Sequence, residues 1–161
     1  MNIQEYNRCV DDCADGLFRF LLKNTKDEEL SRDIVQDSFM RIWEKRDVIA
    51  FDKSKTYLFT TGYHLMIDHF RKNKKNVDFE LVEYSEQGVE RQYSDLKEIL
   101  NEAVEKLPAD QRSVLLLRDY EGYSYKEIAD ITGLSESQVK VYIYRARVSL
   151  KKYLVSIDTV V

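Results

Sequence analysis

The sequence predicts an all-α protein made of two small helical domains joined by an acidic link, the second domain carrying a helix-turn-helix. Three observations lead there. A single proline and five glycines in 161 residues leave little material for the tight turns that sheets need. Apolar residues recur at steps of three and four through most of the chain, the repeat of helices with one buried face. Between about residues 76 and 94 that repeat stops, and acidic and polar residues take over. The expected division is therefore residues 1–75, a link over 76–94, and residues 95–156.

The first helix is expected from Tyr6 to Leu21, where Tyr6, Val10, Cys13, Leu17 and Leu21 share a face. A second follows the acidic start Asp27, Glu28 and Glu29, which suits a helix N-terminus, and buries Leu30, Ile34, Val35, Ser38, Phe39, Ile42 and Trp43. The third runs from Ser54 to about Lys74 with Leu58, Gly62, Leu65 and Met66 inward. Beyond the link, Leu96, Ile99, Leu100, Ala103, Val104 and Leu107 restore a helical stripe that stops before Pro108. A further helix through Val114, Leu115 and Leu117 ends near Tyr120, with Gly122 free to take the left-handed turn that closes it.

The stretch YKEIADITGLSESQVKVYIYRAR, Tyr125 to Arg147, is the most informative. Tyr125 to Ile131 gives about two helical turns, and Gly133 accepts positive φ at no steric cost. Ser135 with Gln138 three residues later forms a capping-box start for the next helix. This is a helix-turn-helix, whose second helix lies in the DNA major groove while the first crosses the backbone. Val139, Ile143, Ala146 and Leu150 fall on one face of that second helix. Val141, Tyr144 and Val148 fall on the other, among Lys140, Arg145 and Arg147. An apolar residue there suits a thymine methyl, and the cations suit phosphates.

Charge distribution supports this reading although the net charge is −4. No acidic residue lies between Glu136 and Asp158, where Lys140, Arg145, Arg147, Lys151 and Lys152 stand. Arg71, Lys72, Lys74 and Lys75 form a second basic cluster, whereas Asn76 to Asp110 holds ten acidic residues against three basic ones. Other function classes find little support. There is no Gly-rich phosphate loop and no nucleophile beside a base. Cys9 and Cys13 are one turn apart without a second pair, and His64 and His69 have no metal-like spacing, so neither metal nor cofactor is expected. No apolar run approaches a bilayer span, which places the protein in the cytoplasm where it is made.

Three stretches, DIVQDSFMRIW (Asp33 to Trp43), YLFTTGYHLMIDHFRK (Tyr57 to Lys72) and the segment Leu107 to Arg147, together resemble the bacterial extracytoplasmic-function sigma factors. The resemblance covers about Leu17 to Tyr153, with the three signatures in the family's order. It implies a protein that joins core RNA polymerase and directs it to promoter DNA, performing no catalysis itself and binding no small-molecule substrate. It also implies an anti-sigma factor as partner, one associated with the membrane.

Site residues follow from the same resemblance. Asp33, Gln36, Asp37 and Arg41 would dock on the polymerase clamp, with Phe39 and Trp43 as core. Tyr63, His64, Arg71 and Lys72 would open and read the −10 element, an unstacked base meeting the aromatic pair and phosphates the cations. Ser137, Gln138, Lys140, Val141, Tyr144, Arg145 and Arg147 would read the −35 element. The sequence departs from the family's habit at Tyr57, where tryptophan is common, at His64, where asparagine is, and at Tyr142, where a basic residue is. Two other readings remain open on the residues alone: a two-module DNA-binding regulator that works without polymerase, and an adaptor whose helix-turn-helix docks another helix.

Overall fold

Seven α-helices make up almost all of the described residues, 1–76 and 96–158, in the computed structural model. The first helix, α1 (Ile3–Thr25), starts earlier than its apolar repeat suggests because Asn2 and Glu5 form a capping box. The Glu5 N–H donates to Asn2 Oδ1 at 2.8 Å, and the Asn2 N–H donates to Glu5 Oε1 at 3.0 Å. It ends at Lys26, a non-glycine residue in the left-handed region (φ 55°) whose N–H donates to Leu22 O. Helix α2 (Glu28–Glu44) is capped by Asp27, and α3 (Ser54–Asn76) follows a single 3₁₀ turn at Phe51–Lys53.

These three helices bury the faces their spacing marks: Cys9, Cys13, Leu17, Phe20 and Leu21 from α1, Ile34, Phe39 and Ile42 from α2, and Leu58, Phe59 and Met66 from α3. Gly62 lets α3 approach closely, since a Cβ there would lie 2.9 Å from Leu17 Cδ1. Cys9 and Cys13 are free buried thiols. A hydrogen bond from Cys13, with another from Ser54, lowers the Cys9 thiol from its usual range against the cost of its burial. One expectation is corrected: Trp43 is no core residue. It is 37% exposed, with its ring edge-on to Tyr6 at 4.8 Å and under the Arg46 guanidinium at 3.9 Å. The helical repeat marks the core side but not its edge, where a ring this large overhangs.

Beyond the undescribed residues come α4 (Leu96–Glu105), α5 (Ala109–Leu115), α6 (Tyr125–Thr132) and α7 (Glu136–Asp158). The expected acidic link, past Asn76, lies outside the described residues, as do the side chains of Lys74 and Lys75. After α5 the chain widens into a π turn at Leu116–Tyr120, where the Glu121 N–H reaches back five residues to Leu116 O at 3.0 Å. Gly122 and Gly133 both take φ 79°, the left-handed value expected of them. Val114 to Leu117, Ile128, Ile131, Val139, Ile143 and Ala146 form the buried interior of this half.

The two halves do not stand apart. Their buried residues form one continuous core, and the join runs along α1 and α3. Tyr123, between the π turn and α6, meets Phe59 of α3 at 5.2 Å, and Phe59 meets Phe20 of α1 at 5.9 Å. Around this aromatic run, Arg19 makes a two-bond ion pair with Glu121, and Asn24 Oδ1 accepts from Ser113 Oγ and Arg112 Nε.

Candidate nucleic-acid interface

Helix α7 is set by two caps and a buried stripe. Ser124 and Glu127 close a capping box on α6, and this bonding, led by the Ser124 backbone N–H, holds the Glu127 carboxyl below its usual range. Gly133 turns the chain, and Ser135 starts α7: its Oγ accepts from the Gln138 N–H at 3.1 Å, while its own N–H donates to Gln138 Oε1 at 3.0 Å. With Val139, Ile143 and Ala146 fully buried, the helix has only one rotation available to it. That rotation presents Ser137, Lys140, Val141, Tyr144 and Arg145 to solvent; Tyr144 is 70% exposed and Val141 43%.

Two of the expected −35 residues prove to be engaged within the fold. The carbonyl end of Gln138 belongs to the cap just described. Arg147 donates twice to Asp119, and this bonding raises the guanidinium above its already high value. Lys140 stands 4.0 Å from Glu136 and 5.6 Å from the centre of the Tyr125 ring. Arg145 is exposed and has no ion pair among the described residues.

On α3, His64, Arg71 and Lys72 are exposed, and Arg71 and Lys72 follow His64 by about 10 to 12 Å along the helix axis. Tyr63 is not available in this arrangement. It is 7% exposed, and burial, with the Asp110 carboxylate second, pushes its phenol up. The expected aromatic pair is thus split: the rings touch at 5.6 Å, but His64 alone faces outward. Adjacent positions on a helix point about 100° apart, and here that turn carries Tyr63 onto the buried face and His64 off it. His64 opens onto a cleft of about 510 Å³ between α2 and α3, lined also by Lys45, Tyr57, Thr60, Thr61 and Asp68. None of those five was singled out as a contact in the sequence, although four lie within two turns of His64 on α3.

On α2, Asp33, Gln36 and Arg41 are exposed and Asp37 is half-buried, with Asp37 and Arg41 paired at 3.4 Å. Sequence reasoning missed Met40, which stands 58% exposed among them. An apolar residue off the buried stripe was the available signal. Among the described residues no cluster of His, Cys, Asp and Glu could hold a metal, and no helix is long and apolar enough to cross a membrane.

A helix-turn-helix presenting cations and an apolar stripe, packed on a three-helix unit, defines a helical DNA-binding protein. Comparison with known proteins narrows the class. Residues 9–76 match the family described as Sigma-70 region 2, and residues 97–150 match Sigma-70, region 4. The ECF RNA polymerase sigma factor SigM of Bacillus subtilis is 33% identical over 141 residues, which cover 84% of this chain and 86% of SigM. SigV from the same organism is 30% identical, covering 86% and 84%. The chain belongs to the extracytoplasmic-function RNA polymerase sigma factors, subunits that confer promoter-specific transcription initiation. Its fold is similar to that of the sigma factor RpoE in complex with the anti-sigma factor NepR from Bartonella quintana, at a TM-score of 0.75 and 25% identity, covering 94% of this chain and 98% of that one. It is also similar to CnrH in complex with the cytosolic domain of CnrY, at 0.70 and 25%, covering 96% and 90%.

Proposed function

We propose that the chain divides its work between two modules: residues 1–75 dock on core RNA polymerase and read the −10 element, and residues 95–156 read the −35 element, with 76–94 linking them. The observation that carries this is the outward face of α7, whose exposed Val141 and Tyr144 lie beside Lys140 and Arg145 on a helix fixed in rotation by its buried side. Ser137, Lys140, Val141, Tyr144 and Arg145 meet the −35 duplex, while Gln138 and Arg147 chiefly hold the helix in place. His64 takes an unstacked −10 base in its cleft, with Arg71 and Lys72 on the phosphates. Asp33, Gln36, Asp37 and Arg41 meet the polymerase clamp.

In this reading the protein works in the cytoplasm, supplies no catalytic group of its own, and leaves phosphoryl transfer to polymerase. An anti-sigma factor is a further partner, supported by the similarity to RpoE and CnrH, each of which is described bound to such a protein or its cytosolic domain. Run-off transcription with purified core polymerase tests the reading. Promoter-specific transcripts that depend on this protein are expected. DNA binding without any complex with polymerase would instead favour a regulator that acts alone.

A further inference from the structure

We propose that the outward side of α7 is one half of a two-stranded coiled coil, completed by an acidic amphipathic helix of a partner protein that competes with DNA for it. The −35 contact uses only the first part of this side. Residues that meet base edges lie near the start of a recognition helix, whereas α7 runs on for 23 residues, about 34 Å. Its apolar line runs on as well. Val141, Val148 and Val155 stand seven apart, with Tyr144 three after the first. Val155 is 53% exposed about 21 Å along the axis from Val141, and DNA offers it little apolar surface beyond thymine methyls. Val148 is half-buried and lies with Val155 in a groove of about 490 Å³ whose other walls are Lys151, Lys152 and Ser156.

This spacing makes a heptad seam, on the side of α7 opposite to buried Val139, Ile143 and Ala146. With the three valines at the a positions, Tyr144 and Lys151 fall at d, Arg145 and Lys152 at e, and Lys140 and Arg147 at g. β-branched residues at a favour two strands, and Lys151 can lay its stem along the seam with its ammonium in water. Charge then chooses the occupant. Every charged residue at e and g is basic. Arg147 gives its donors to Asp119, which leaves Lys140, Arg145 and Lys152 for a partner; the contact of Lys140 with Glu136 is a solvent-exposed one at 4.0 Å. A second copy of α7 would set cation against cation in either direction, whereas glutamates at a partner's e and g would meet every one. The seam contains Lys140, Val141, Tyr144 and Arg145, so its occupant and the −35 duplex exclude each other. That exclusion rests on the −35 reading given above, and the pairing itself does not.

The test uses the full chain and two synthetic three-heptad peptides with valine at a and leucine at d, one carrying glutamate at every e and g and the other lysine. Fluorescence anisotropy should show saturable one-to-one binding of the glutamate peptide, displaced by unlabelled −35 duplex, and binding of the lysine peptide weaker by about tenfold or more. Val155→Ser, a change at an exposed position, should weaken the glutamate peptide about fivefold and leave binding of the −35 duplex unchanged. Val148→Ser should do the same, with circular dichroism to show it folded. Equal binding of the two peptides, or full binding of the glutamate peptide by both serine variants, would reduce the contact to general charge attraction and overturn the seam. A wild-type dimer in sedimentation equilibrium that Val155→Ser dissociates would give the seam to a second copy. Loss of −35 binding in Val155→Ser would give its far half to DNA, and either result overturns the acidic partner. Bound peptide that the duplex fails to displace would overturn the competition. A wild type that binds the glutamate peptide but no −35 duplex would overturn the −35 reading and uphold the seam.

Discussion

Arg147 on α7 and Asp119 in the π turn face each other with two hydrogen bonds, Nε to Oδ2 at 3.2 Å and Nη2 to Oδ1 at 2.6 Å. The pair ties the recognition helix to the element that carries Tyr120 and Glu121, two residues at the contact between modules. A guanidinium held in this way gives its donors to a carboxylate, while Arg145, two positions earlier, is exposed and has no ion pair among the described residues. The two arginines should therefore behave differently. Arg145→Ala should weaken −35 binding for all sequences alike and lower the salt slope by about 1. Arg147→Ala should leave that slope nearly unchanged and cost about 0.5 to 1 kcal/mol of stability, the range for a partly exposed pair. Salt titrations of −35 duplex binding, alongside denaturant melts, make the comparison. A full unit of slope lost from Arg147→Ala would return it to the phosphate-binding set.

The proposed −35 reading gives Val141 a more specific task. It is apolar, faces away from the core, and stands on the first two turns of α7, the part of a recognition helix that meets base edges. Val141→Ser should change preference at one −35 position by about 1 kcal/mol and leave the salt slope alone. Uniform weakening on every promoter would show the stripe of Val141 and Tyr144 to be a protein-docking face.

Periodicity made the buried side of most helices legible, although Leu96, expected on the stripe of α4, is 71% exposed at the first position of that helix, and the helix-turn-helix could be read to the individual residue. Gly133, Ser135 and Gln138 signal their conformations chemically, and each occupies the place its chemistry demands. What the sequence hid were relationships between distant positions. Nothing local marks Asp119 as the partner of Arg147 or Glu121 as the partner of Arg19, since both pairs depend on how helices already formed come together. The same limit explains Tyr63 and Trp43. A run of aromatic and polar residues on α3 suggested a pair, but helical geometry sends neighbours to different sides, while Trp43 sits on the core stripe and still overhangs it.

His64 should act after docking. Stacking of one base on an aromatic group is worth about 1 to 3 kcal/mol, so His64→Ala should slow open-complex formation and alter −10 base preference without reducing affinity for polymerase. Tyr63→Phe keeps the buried ring and should change neither. Potassium permanganate footprinting of the promoter follows opening directly. A fall in polymerase affinity for His64→Ala would make that residue part of the structural support of α2 and α3.

Acid should loosen α6. The Glu127 carboxyl has its affinity for protons lowered in the fold, chiefly by the Ser124 N–H bond, so the stability it contributes is present above about pH 4.5, its ordinary value. That contribution is lost as pH falls through the lower folded value. Glu127→Gln should therefore melt below wild type at pH 7, with a gap that begins to narrow only below about pH 4.5 and closes as pH falls past the lower folded value. Ser124→Ala removes the other half of the box and should cost about 1 kcal/mol at neutral pH. A gap between Glu127→Gln and wild type that stays constant as pH falls well below 4.5 would assign the loss to packing against Thr56, whose hydroxyl donates to Glu127 Oε2.

Met40 should dominate the polymerase contact. It lies at 58% exposure on the same side of α2 as Gln36, Asp37 and Arg41, and its side chain has little core to leave. Protein interfaces draw most of their affinity from a few residues that become fully desolvated, while the charged rim sets orientation and approach. The Asp37 and Arg41 pair fits the rim: both side chains are half exposed, and such a pair along one helix is worth about 0.3 to 0.5 kcal/mol. Met40→Ala should therefore weaken binding to core polymerase by about tenfold, near 1.4 kcal/mol, and Met40→Glu should weaken it further by placing an unpaired charge in the contact. Neither change should lower the melting temperature of the free protein by more than a few degrees, because the Met40 position contributes little to the interior. Arg41→Ala should act mainly on the rate of association, and more at low salt. Titration of labelled protein against core polymerase gives the two affinities, and stopped-flow mixing at two salt concentrations gives the Arg41→Ala association rate. Normal affinity for Met40→Glu would remove this face of α2 from the polymerase contact and leave Asp33, Gln36 and Asp37 without a central residue to organise around.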